Sequence, residues 1–433
     1  MDRAQYADFR RRPWTHYVVW GWRREVALGV ATVLALMIAK QVSSLLPSVL
    51  LVGGVGVLVM APRARHRVRE VLQTANRERR LQSVFWWMGF VGRDGGLPAV
   101  RCEERLPAGD RYVVQLPVGQ HVEALEKRVP ELAAMLNARA VRVQASRDGA
   151  RFAVLTVISR DPFSEPIASS LTAPQSKRVR SIWRPIELGA GEDGRSVVIA
   201  LPEHNLLIGG EPGSGKSIAL TTIVAAAALD PGCELSLFDG KEVELAAWRD
   251  VADSFVGSST AAAIVELERI HEILADRYQG LLASGRRKVD AVHGDILHVV
   301  VVDELAWYLR GGDRGSRDRV AELLRDMISR GRAAGIVVVA ATQKPSHEIV
   351  PTWIRDLFSY RLALRCTSPE ASDTVLGQGW ASQGYNAATI DPEKRGVGYL
   401  LAEGGVPQLM RVANLSDSDV ALLVARAREA RGR

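Results

Sequence analysis

The sequence predicts an α/β protein in which a nucleotide-binding domain with a parallel sheet follows a small α/β domain and an N-terminal transmembrane helical hairpin. Three observations predict this architecture. A glycine-rich loop, GEPGSGKS at 210–217, lies between an apolar strand and a helical run, as in P-loop NTPases. A valine-rich segment, 298–302, ends in two acidic residues, which is typical of a buried parallel strand. Two apolar runs near the N-terminus are flanked by arginines.

Length and composition exclude several classes of protein. The chain has 433 residues, which allows two or three domains. Hydrophobic residues make up 47% of it and charged residues 24%, a composition that excludes a largely disordered chain. The three cysteines, Cys102, Cys233 and Cys366, lie far apart and form no CxxC or Cys/His spacing. This pattern argues against a zinc site and against a secreted disulfide scaffold, so we expect reduced, buried thiols.

The charge is distributed unevenly along the chain. The net charge of +7, from 56 basic and 49 acidic residues, by itself suggests a nucleic acid or a membrane surface as partner. Residues 1–80 contain 14 of the basic and 5 of the acidic residues, a net charge of +9, whereas the other 353 residues have a net charge of −2. A DNA-binding role therefore has to be argued from motifs rather than from bulk charge.

Two apolar runs, 26–39 and 47–61, predict a membrane hairpin over 24–62. A spanning helix needs about 20 apolar residues, so the region allows two minimal spans joined by a tight turn. The positive-inside rule then places the basic tail, 1–23, and the rest of the chain on the cytoplasmic side of the membrane, with the turn outside. A single tilted span and a buried core hairpin are the alternatives. The flanking arginines are Arg10, Arg11, Arg12, Arg23 and Arg24 before the runs, and Arg63, Arg65, Arg67 and Arg69 after them.

The segment between the hairpin and the glycine-rich loop has three parts. Residues 63–90 are basic and then aromatic, which predicts either a juxtamembrane helix along anionic headgroups or a solvated linker helix. Alternating strands and a helical run predict a small α/β domain at 91–175, with Pro130 dividing the helical run in two. The stretch 164–180 is polar and contains Pro and Ser, which is typical of a linker.

The glycine-rich loop fits GxxxxGK[ST] at every fixed position and is the candidate ATP site. Backbone N–H groups of such a loop and the N-terminus of the following helix bind phosphate oxygens. We expect Lys216 to contact the β- and γ-phosphates and the Ser217 hydroxyl to ligate Mg²⁺. The candidate nucleotide-binding residues are Gly210, Glu211, Pro212, Gly213, Ser214, Gly215, Lys216 and Ser217.

Two later strands end in candidate catalytic residues. Asp303 and Glu304 follow the valine run, at the strand end where the phosphates of a bound nucleotide lie. We expect Asp303 to hold Mg²⁺ and Glu304 to orient and polarise the attacking water, which favours hydrolysis over transfer. Gln343 ends the next apolar strand and is a candidate γ-phosphate sensor. From the residues alone, Arg330 and Arg332 of SRGR are either surface charges or groups that stabilise the transition state.

These motifs resemble the FtsK/SpoIIIE family of membrane-anchored DNA translocases. LLIGGEPGSGKS is similar to the family's P-loop block, VVVVDELAWYL to its Walker B block, and LFDGKEVEL to the strand between them, with Lys241 and Glu244 in matching places. The block SRGRAAGIVVVAATQKPS matches most closely, and IRDLFSYRLALRCTSPEASDTVLGQG resembles the last part of the motor. The resemblance extends over residues 95–420.

The resemblance implies a RecA-like P-loop NTPase motor at 176–425, followed by a tail at 426–433. It implies ATP and Mg²⁺ as ligands and a homo-oligomer, a hexameric ring around double-stranded DNA. Contact with the DNA would run through its phosphates in the ring lumen, without base readout. By position, the resemblance makes Gln343 the sensor and Arg332 a finger that acts in trans on the adjacent subunit.

The pore-facing residues stay open at this stage. One candidate cluster lies in RGGDRGSRDR, which is either a pore loop or a solvated surface loop, and a second lies shortly before the valine run. The candidates are Arg310, Arg314, Arg317 and Arg319 in the first cluster, and Arg286, Arg287 and Lys288 in the second.

Three departures from the family pattern bear on function. Glu211 and Pro212 stand where chromosome-partitioning members have Thr-Gly, the membrane region holds one pair of spans, and no winged-helix module follows the motor. The build resembles the transfer proteins of actinobacterial plasmids and integrative elements, which implies conjugal DNA transfer, with a DNA-loading partner protein as a candidate. The alternatives are a chromosome segregation and division pump, a type VII-like protein secretion ATPase, and a nucleotide-dependent membrane scaffold without turnover.

Overall fold

The computed structural model describes residues 32–33, 37–38, 62–93, 95–173, 181–346 and 350–433, which form two compact units, up to Arg160 and from Asp161 onward. Nearly all of the predicted hairpin, 24–62, lies outside the described residues, so it stays a prediction. Within the described ranges, no helix combines the length and apolarity that a membrane crossing requires.

The first unit is a four-stranded antiparallel sheet covered by helices. The strand order is β1-β2-β4-β3, and successive strands pair along almost their whole length. One face of the sheet is buried under the helices, as expected for an antiparallel sheet with alternating side chains. The strands are β1 (Ala99–Leu106), β2 (Gly109–Gln115), β3 (Ala140–Ala145) and β4 (Phe152–Ile158), and the helices are Pro62–Trp87, Val122–Glu126 and Val129–Leu136.

The helix Pro62–Trp87 corrects the predicted boundary at 90 between the juxtamembrane or linker helix and the small domain. Its last turns bury Leu81, Val84 and Phe85 in the core of the first unit, and Met88 follows them. Apolar residues at 81, 84, 85 and 88 have the spacing of one helix face. The C-terminal half of this helix is therefore part of the small domain.

The helical run after β2 is divided as the sequence predicts. One helix ends at Glu126 and the next begins at Val129, with Pro130 in its first turn. Proline fits there because the first N–H groups of a helix have no intrahelical acceptor. Asn137 ends the second helix in the left-handed region, with φ of 49°, a common helix stop for asparagine.

The second unit is built on a ten-stranded sheet in the order β6-β5-β14-β13-β12-β7-β11-β10-β8-β9. The strands from β12 to β9 are parallel, and those from β13 to β6 pair antiparallel. The strands are β5 (Ile186–Gly191), β6 (Ser196–Ile199), β7 (Leu206–Gly209), β8 (Cys233–Phe238), β9 (Ser254–Val256), β10 (Leu297–Val302), β11 (Ile336–Thr342), β12 (Tyr360–Leu364), β13 (Val397–Leu401) and β14 (Gln408–Val412).

Helices cover both faces of this sheet, which is why β7, β10 and β11 are buried at every position. One core contains the helices Lys216–Ala228 and Asp417–Arg431. The other contains Thr260–Ala283 and Arg314–Ala334, with shorter helices. The remaining helices are Leu305–Arg310, Thr352–Arg355 and Pro369–Leu376, and short 3₁₀ turns lie at Ala246–Trp248, Ala381–Gln383 and Ala387–Thr389.

The boundaries of the second unit differ from those predicted at 175 and 425. Phe163, directly before the predicted linker, and Leu171, within it, are buried in the two cores of the second unit, which begins at Asp161. The last helix continues to Arg431, whose guanidinium donates hydrogen bonds to the carbonyl oxygens of Ala228 (2.8 Å) and Cys233 (2.7 Å). The predicted tail, 426–433, therefore belongs to the body of this unit.

Candidate nucleotide-binding site

The predicted P-loop connects β7 to the helix Lys216–Ala228 at the carboxyl ends of the parallel strands, the edge where ligands bind in open α/β sheets. Gly213 and Gly215 have φ of 79° and 101°, a region that other residues rarely adopt. A Cβ on Gly215 would also lie 2.7 Å from the Cα of Gly396. The glycines of the motif are thus required by the loop's turns and by close backbone contact.

Backbone hydrogen bonds fix the loop on two sides. The Gly210 N–H donates to the carbonyl oxygen of Thr342 at the end of β11 (3.2 Å). On the other side, the Gly396 N–H donates to the carbonyl oxygen of Ser214 (2.8 Å). The loop is therefore held in shape by the strands around it, and its amide groups are preorganised for phosphate oxygens.

Lys216 and Asp303 form a buried ion pair. The Lys216 Nζ lies 2.8 Å from Asp303 Oδ1 and 3.0 Å from the Asp303 carbonyl oxygen, and the two side chains are 3% and 0% exposed. The two residues are separated by 87 positions in the chain, and the sheet brings β7 and β10 to the same edge. The structure thus brings together the two charged groups that the sequence predicts for phosphate and metal.

Two buried side-chain oxygen atoms beside the P-loop have no hydrogen-bond partner among the described residues. They are Asp303 Oδ2 and Ser214 Oγ. Buried polar atoms are nearly always paired, so an orphan pair beside a P-loop indicates a place for a ligand. Asp303 with the Ser217 hydroxyl is a donor set of oxygens, which Mg²⁺ prefers. No group of three or more His, Cys, Asp or Glu that could hold a metal occurs in the described part of the chain.

Glu304 is held at the end of β10 by two hydrogen bonds from the neighbouring strand. Its Oε1 accepts from the Thr342 hydroxyl (2.8 Å) and its Oε2 from the Gln343 N–H (3.0 Å), and Glu304 is 8% exposed. The side chain is therefore fixed in position, as a group that orients water must be. Sequence reasoning missed Thr342, although it immediately precedes the predicted sensor Gln343.

Two arginines beside the P-loop were also missed. Arg365 follows β12, and its Nε lies 2.5 Å from Oε1 of Glu211, while the Glu211 N–H donates to the Arg365 carbonyl oxygen (2.9 Å). Arg395 donates from Nε to the carbonyl oxygen of Gly213 (3.1 Å). Glu211, the residue that departs from the family pattern, is thus fixed to the sheet on both its side chain and its backbone.

Arg332 lies apart from these groups in the chain. It is in the last turn of the helix Arg314–Ala334, and its Nη2 lies 3.2 Å from Oε2 of Glu403. Among the hydrogen bonds and ion pairs of the described residues, none joins Arg332 to the P-loop, Asp303 or Glu304. Its side chain is 38% exposed.

The candidate pore clusters are partly neutralised by acidic neighbours. Arg286 pairs with Asp295, and Arg319 lies 2.8 Å from Glu268. The loop predicted in RGGDRGSRDR is also shorter than expected, because a helix begins at Arg314. The Asp313 side chain caps this helix by accepting a hydrogen bond from the Ser316 N–H, the usual N-cap contact.

The three cysteines are free thiols, as the sequence predicts. Cys233 and Cys366 are buried as expected, whereas Cys102 is only partly buried, which corrects the prediction for that residue. Burial raises the pKa of the Cys233 and Cys366 thiols to about 12, because the thiolate would lose its hydration. They are therefore protonated and inert at neutral pH.

Residues 171–381 match the model of the FtsK/SpoIIIE family. The "DNA translocase FtsK" of Halalkalibacterium halodurans is 26% identical over 341 residues, which are 73% of this chain and 41% of that protein. The same-named protein of Streptococcus pneumoniae is 25% identical over 297 residues, 64% of this chain and 38% of that protein. The chain thus spans about two fifths of the length of these relatives.

Two solved structures share the fold. The pCW3 conjugation coupling protein TcpA, in a monomer form with ATPγS, is 18% identical with a TM-score of 0.52, covering 82% of this chain and 99% of its own. EssC (ATPases 2 and 3) from Geobacillus thermodenitrificans is 15% identical with a TM-score of 0.50, covering 62% and 52%. Together with the P-loop geometry, these matches show that the chain has an α/β P-loop NTPase motor fold and carries, over residues 171–381, a domain of the FtsK/SpoIIIE family.

Proposed function

We propose that this chain is a membrane-anchored, ATP-hydrolysing translocase of double-stranded DNA that works as a homo-oligomeric ring, expected to be a hexamer. One observation carries the proposal: Lys216, Asp303 and Glu304 are buried together at the carboxyl edge of the sheet, with Glu304 fixed by Thr342 and Gln343. A protein that only bound nucleotide would not require a carboxylate fixed in this way. The substrate, DNA, is proposed from the name of the relatives, DNA translocase.

The chain's own residues support hydrolysis as follows. The P-loop amides and Lys216 bind the phosphates, and Ser217 with Asp303 would hold Mg²⁺. When bound, Mg²⁺ neutralises charge on the β- and γ-phosphates. Glu304 accepts the proton of a water molecule as the water oxygen bonds to the γ-phosphorus and the bond from phosphorus to the β–γ bridging oxygen breaks, giving ADP and phosphate. The Thr342 hydroxyl and the Gln343 N–H keep the Glu304 carboxylate aimed at that water.

Arg332 is proposed to act in trans. It is partly exposed and paired with Glu403, itself 59% exposed, so a neighbouring subunit can exchange this pair for a phosphate contact. Arg332→Ala is expected to abolish ATP hydrolysis, whereas rings that mix Arg332→Ala with Glu304→Gln subunits regain part of it. Such a result requires the two residues to act in different subunits. The absence of rescue at every mixing ratio would contradict the assignment.

Conjugal transfer of plasmid or integrative-element DNA is the proposed role. It is supported by the fold likeness to a conjugation coupling protein over 99% of that protein's length, and by the resemblance noted for the P-loop. The proposed position is the plasma membrane, with the motor and both termini cytoplasmic and with a DNA-loading partner protein. Chromosome segregation and division is one alternative, and protein secretion is a second.

The discriminating experiment is ATP turnover by the full chain in detergent, with and without linear duplex DNA. We expect strong stimulation by duplex of unrelated sequences, because contact through phosphates is independent of sequence. Lys216→Ala, with duplex present, is the inactive control. Turnover that ignores duplex but rises with the C-terminal tail of a secreted protein would support the secretion motor instead.

A further inference from the structure

The first unit contains an open cleft that the nucleotide site does not use. Its volume is about 630 Å³, within the range of small-ligand pockets. The helix Pro62–Trp87, the β1–β2 turn and the end of β4 form its walls. The lining residues are Glu70, Arg77, Arg80, Leu81, Arg105, Leu106, Gly109, Asp110, Tyr112, Leu136, Val157, Ser159 and Arg160.

Positive charge dominates the polar part of this cleft. Four arginines face two carboxylates, and one of these, Asp110, is already engaged, since its Oδ1 lies 2.6 Å from Nη1 of Arg77. The hydroxyl of buried Tyr112 also bonds Asp110, and burial together with that carboxylate raises the pKa of Tyr112, so the phenol stays protonated. The arginine charge is thus only partly compensated within the cleft.

Two of the arginines have guanidinium groups that are available to a ligand. Arg105 and Arg160 are exposed, and neither guanidinium makes a hydrogen bond or ion pair with another residue in the part of the chain that the structure describes. Arg80 donates from Nη2 to the carbonyl oxygen of Leu136 (2.8 Å), which fixes it at the wall of the cleft. Guanidinium groups bind phosphate oxygens in a planar, bidentate manner, so this arrangement suits a phosphate group.

Apolar side chains also line the cleft and distinguish the candidate ligands. They are Leu81, Leu106, Leu136 and Val157. A concave pocket with an apolar wall fits the glycerol and first methylene groups of a lipid, whereas the backbone of duplex DNA is convex, rigid and hydrophilic. The chemistry of the cleft therefore favours an anionic amphiphile over a nucleic acid.

The position of the cleft along the chain leads to the same ligand. Glu70, Arg77 and Arg80 belong to the helix that begins at Pro62, directly after the predicted membrane hairpin. At 1.5 Å per residue they lie about 12 to 27 Å along the helix from its start, and a helix that runs along the membrane surface keeps all three at the level of the headgroups. Val71 and Leu72, 68% and 54% exposed on the same helix, are suited to such a surface.

We propose that this cleft binds the phosphodiester headgroup of an anionic phospholipid, held by Arg105 and Arg160 over the apolar wall. The inference goes beyond the translocase proposal. It uses the predicted hairpin only to choose between phosphate sources, and the binding experiment below does not depend on ATP or DNA.

The test is titration of the full chain in a neutral detergent with dihexanoyl phosphatidylglycerol, followed by microscale thermophoresis. We expect saturable binding of dihexanoyl phosphatidylglycerol. Dihexanoyl phosphatidylcholine and inorganic phosphate should bind at least tenfold more weakly. The variant Arg105→Glu/Arg160→Glu should lose this binding by tenfold or more. Arg101→Glu, an exposed arginine on the same strand that does not line the cleft, is the matched control and should bind as the wild type.

Several outcomes would overturn the proposal. Equal binding of phosphatidylcholine would remove the role of the arginines, and equal binding of inorganic phosphate would remove the role of the apolar wall. Unchanged binding by Arg105→Glu/Arg160→Glu, with circular dichroism like that of the wild type, would exclude this cleft. Binding of a short DNA duplex that is lost in that variant, without binding of phosphatidylglycerol, would assign the cleft to DNA.

Discussion

Each unit of the protein contains an ion pair next to its pocket, and the two pairs differ in burial. In the second unit Lys216 and Asp303, 2.8 Å apart, are 3% and 0% exposed. In the first unit Arg77 and Asp110, 2.6 Å apart, are 35% and 14% exposed. A pair inside a two-sided parallel sheet must compensate the desolvation of both charges, whereas a pair at the rim of an antiparallel sheet remains hydrated. The buried pair belongs to the candidate reaction site, whereas the more exposed pair belongs to the surface of the cleft in the first unit.

The largest expected effect comes from breaking the buried pair. Lys216→Ala should abolish ATP turnover and lower the free energy of unfolding by about 3–5 kcal/mol, because it leaves Asp303 buried and uncompensated. The secondary structure should persist, as measured by circular dichroism. Arg77→Ala, the same kind of truncation in the partly buried pair, should cost less than Lys216→Ala, about 1 kcal/mol in thermal unfolding.

The double variant Lys216→Ala/Asp303→Asn separates stability from function. Removing the orphaned charge should restore much of the stability, yet turnover should stay absent because both phosphate and metal contacts are lost. Equal losses of stability in Lys216→Ala and Arg77→Ala would contradict the distinction drawn between the two units.

A smaller effect is expected for Thr342, which positions Glu304 but is not part of the buried ion pair. Thr342→Val removes the hydroxyl that donates to Glu304 Oε1 but keeps the shape of the side chain. We expect kcat to fall by about 10- to 100-fold, with KM for ATP little changed, since Glu304 acts on the water and not on nucleotide binding. Thr342→Ser keeps the hydroxyl and is the control. A rise in KM with unchanged kcat would show that Thr342 serves binding instead.

The smallest effect concerns the C-terminal helix, far from both pockets in sequence. The Arg431 side chain is 5% exposed, and its guanidinium donates to four carbonyl oxygens at the end of the helix Lys216–Ala228 and the start of β8. Arg431→Ala should lower the free energy of unfolding by about 2–3 kcal/mol. Arg428→Ala, which removes an exposed pair with Asp250, should cost under about 1 kcal/mol. If Arg431→Ala lowered the free energy of unfolding as little as Arg428→Ala does, the last residues would be a dispensable tail.

What could be predicted from the sequence depended on how local each feature is. The P-loop and the run ending in Asp303 and Glu304 were predicted because each is a contiguous pattern whose spacing reflects backbone geometry. The contacts Thr342–Glu304 and Glu211–Arg365 were not, since they join residues 38 and 154 positions apart through neighbouring strands. Such pairs have no sequence pattern of their own.

The unit boundaries failed for a related reason. The stretch 164–180 is polar and contains Pro and Ser, which predicts a linker. Yet Leu171 within it and Phe163 directly before it are buried in the two cores and attach the stretch to them. The helix Pro62–Trp87 was also predicted to lie outside the small domain, because its first half is basic. Apolar residues on one face of its second half nevertheless pack in the core of that domain. The membrane hairpin itself stays a prediction.

Triplex displacement by the full chain on linear duplex DNA tests most directly whether this protein moves along DNA. We expect the protein to displace a third strand at a distance from its loading end when ATP is present. We expect no displacement with ATPγS or with Glu304→Gln, which should still bind nucleotide and duplex. ATP hydrolysis stimulated by duplex without displacement of the third strand would contradict the claim that this chain moves along DNA.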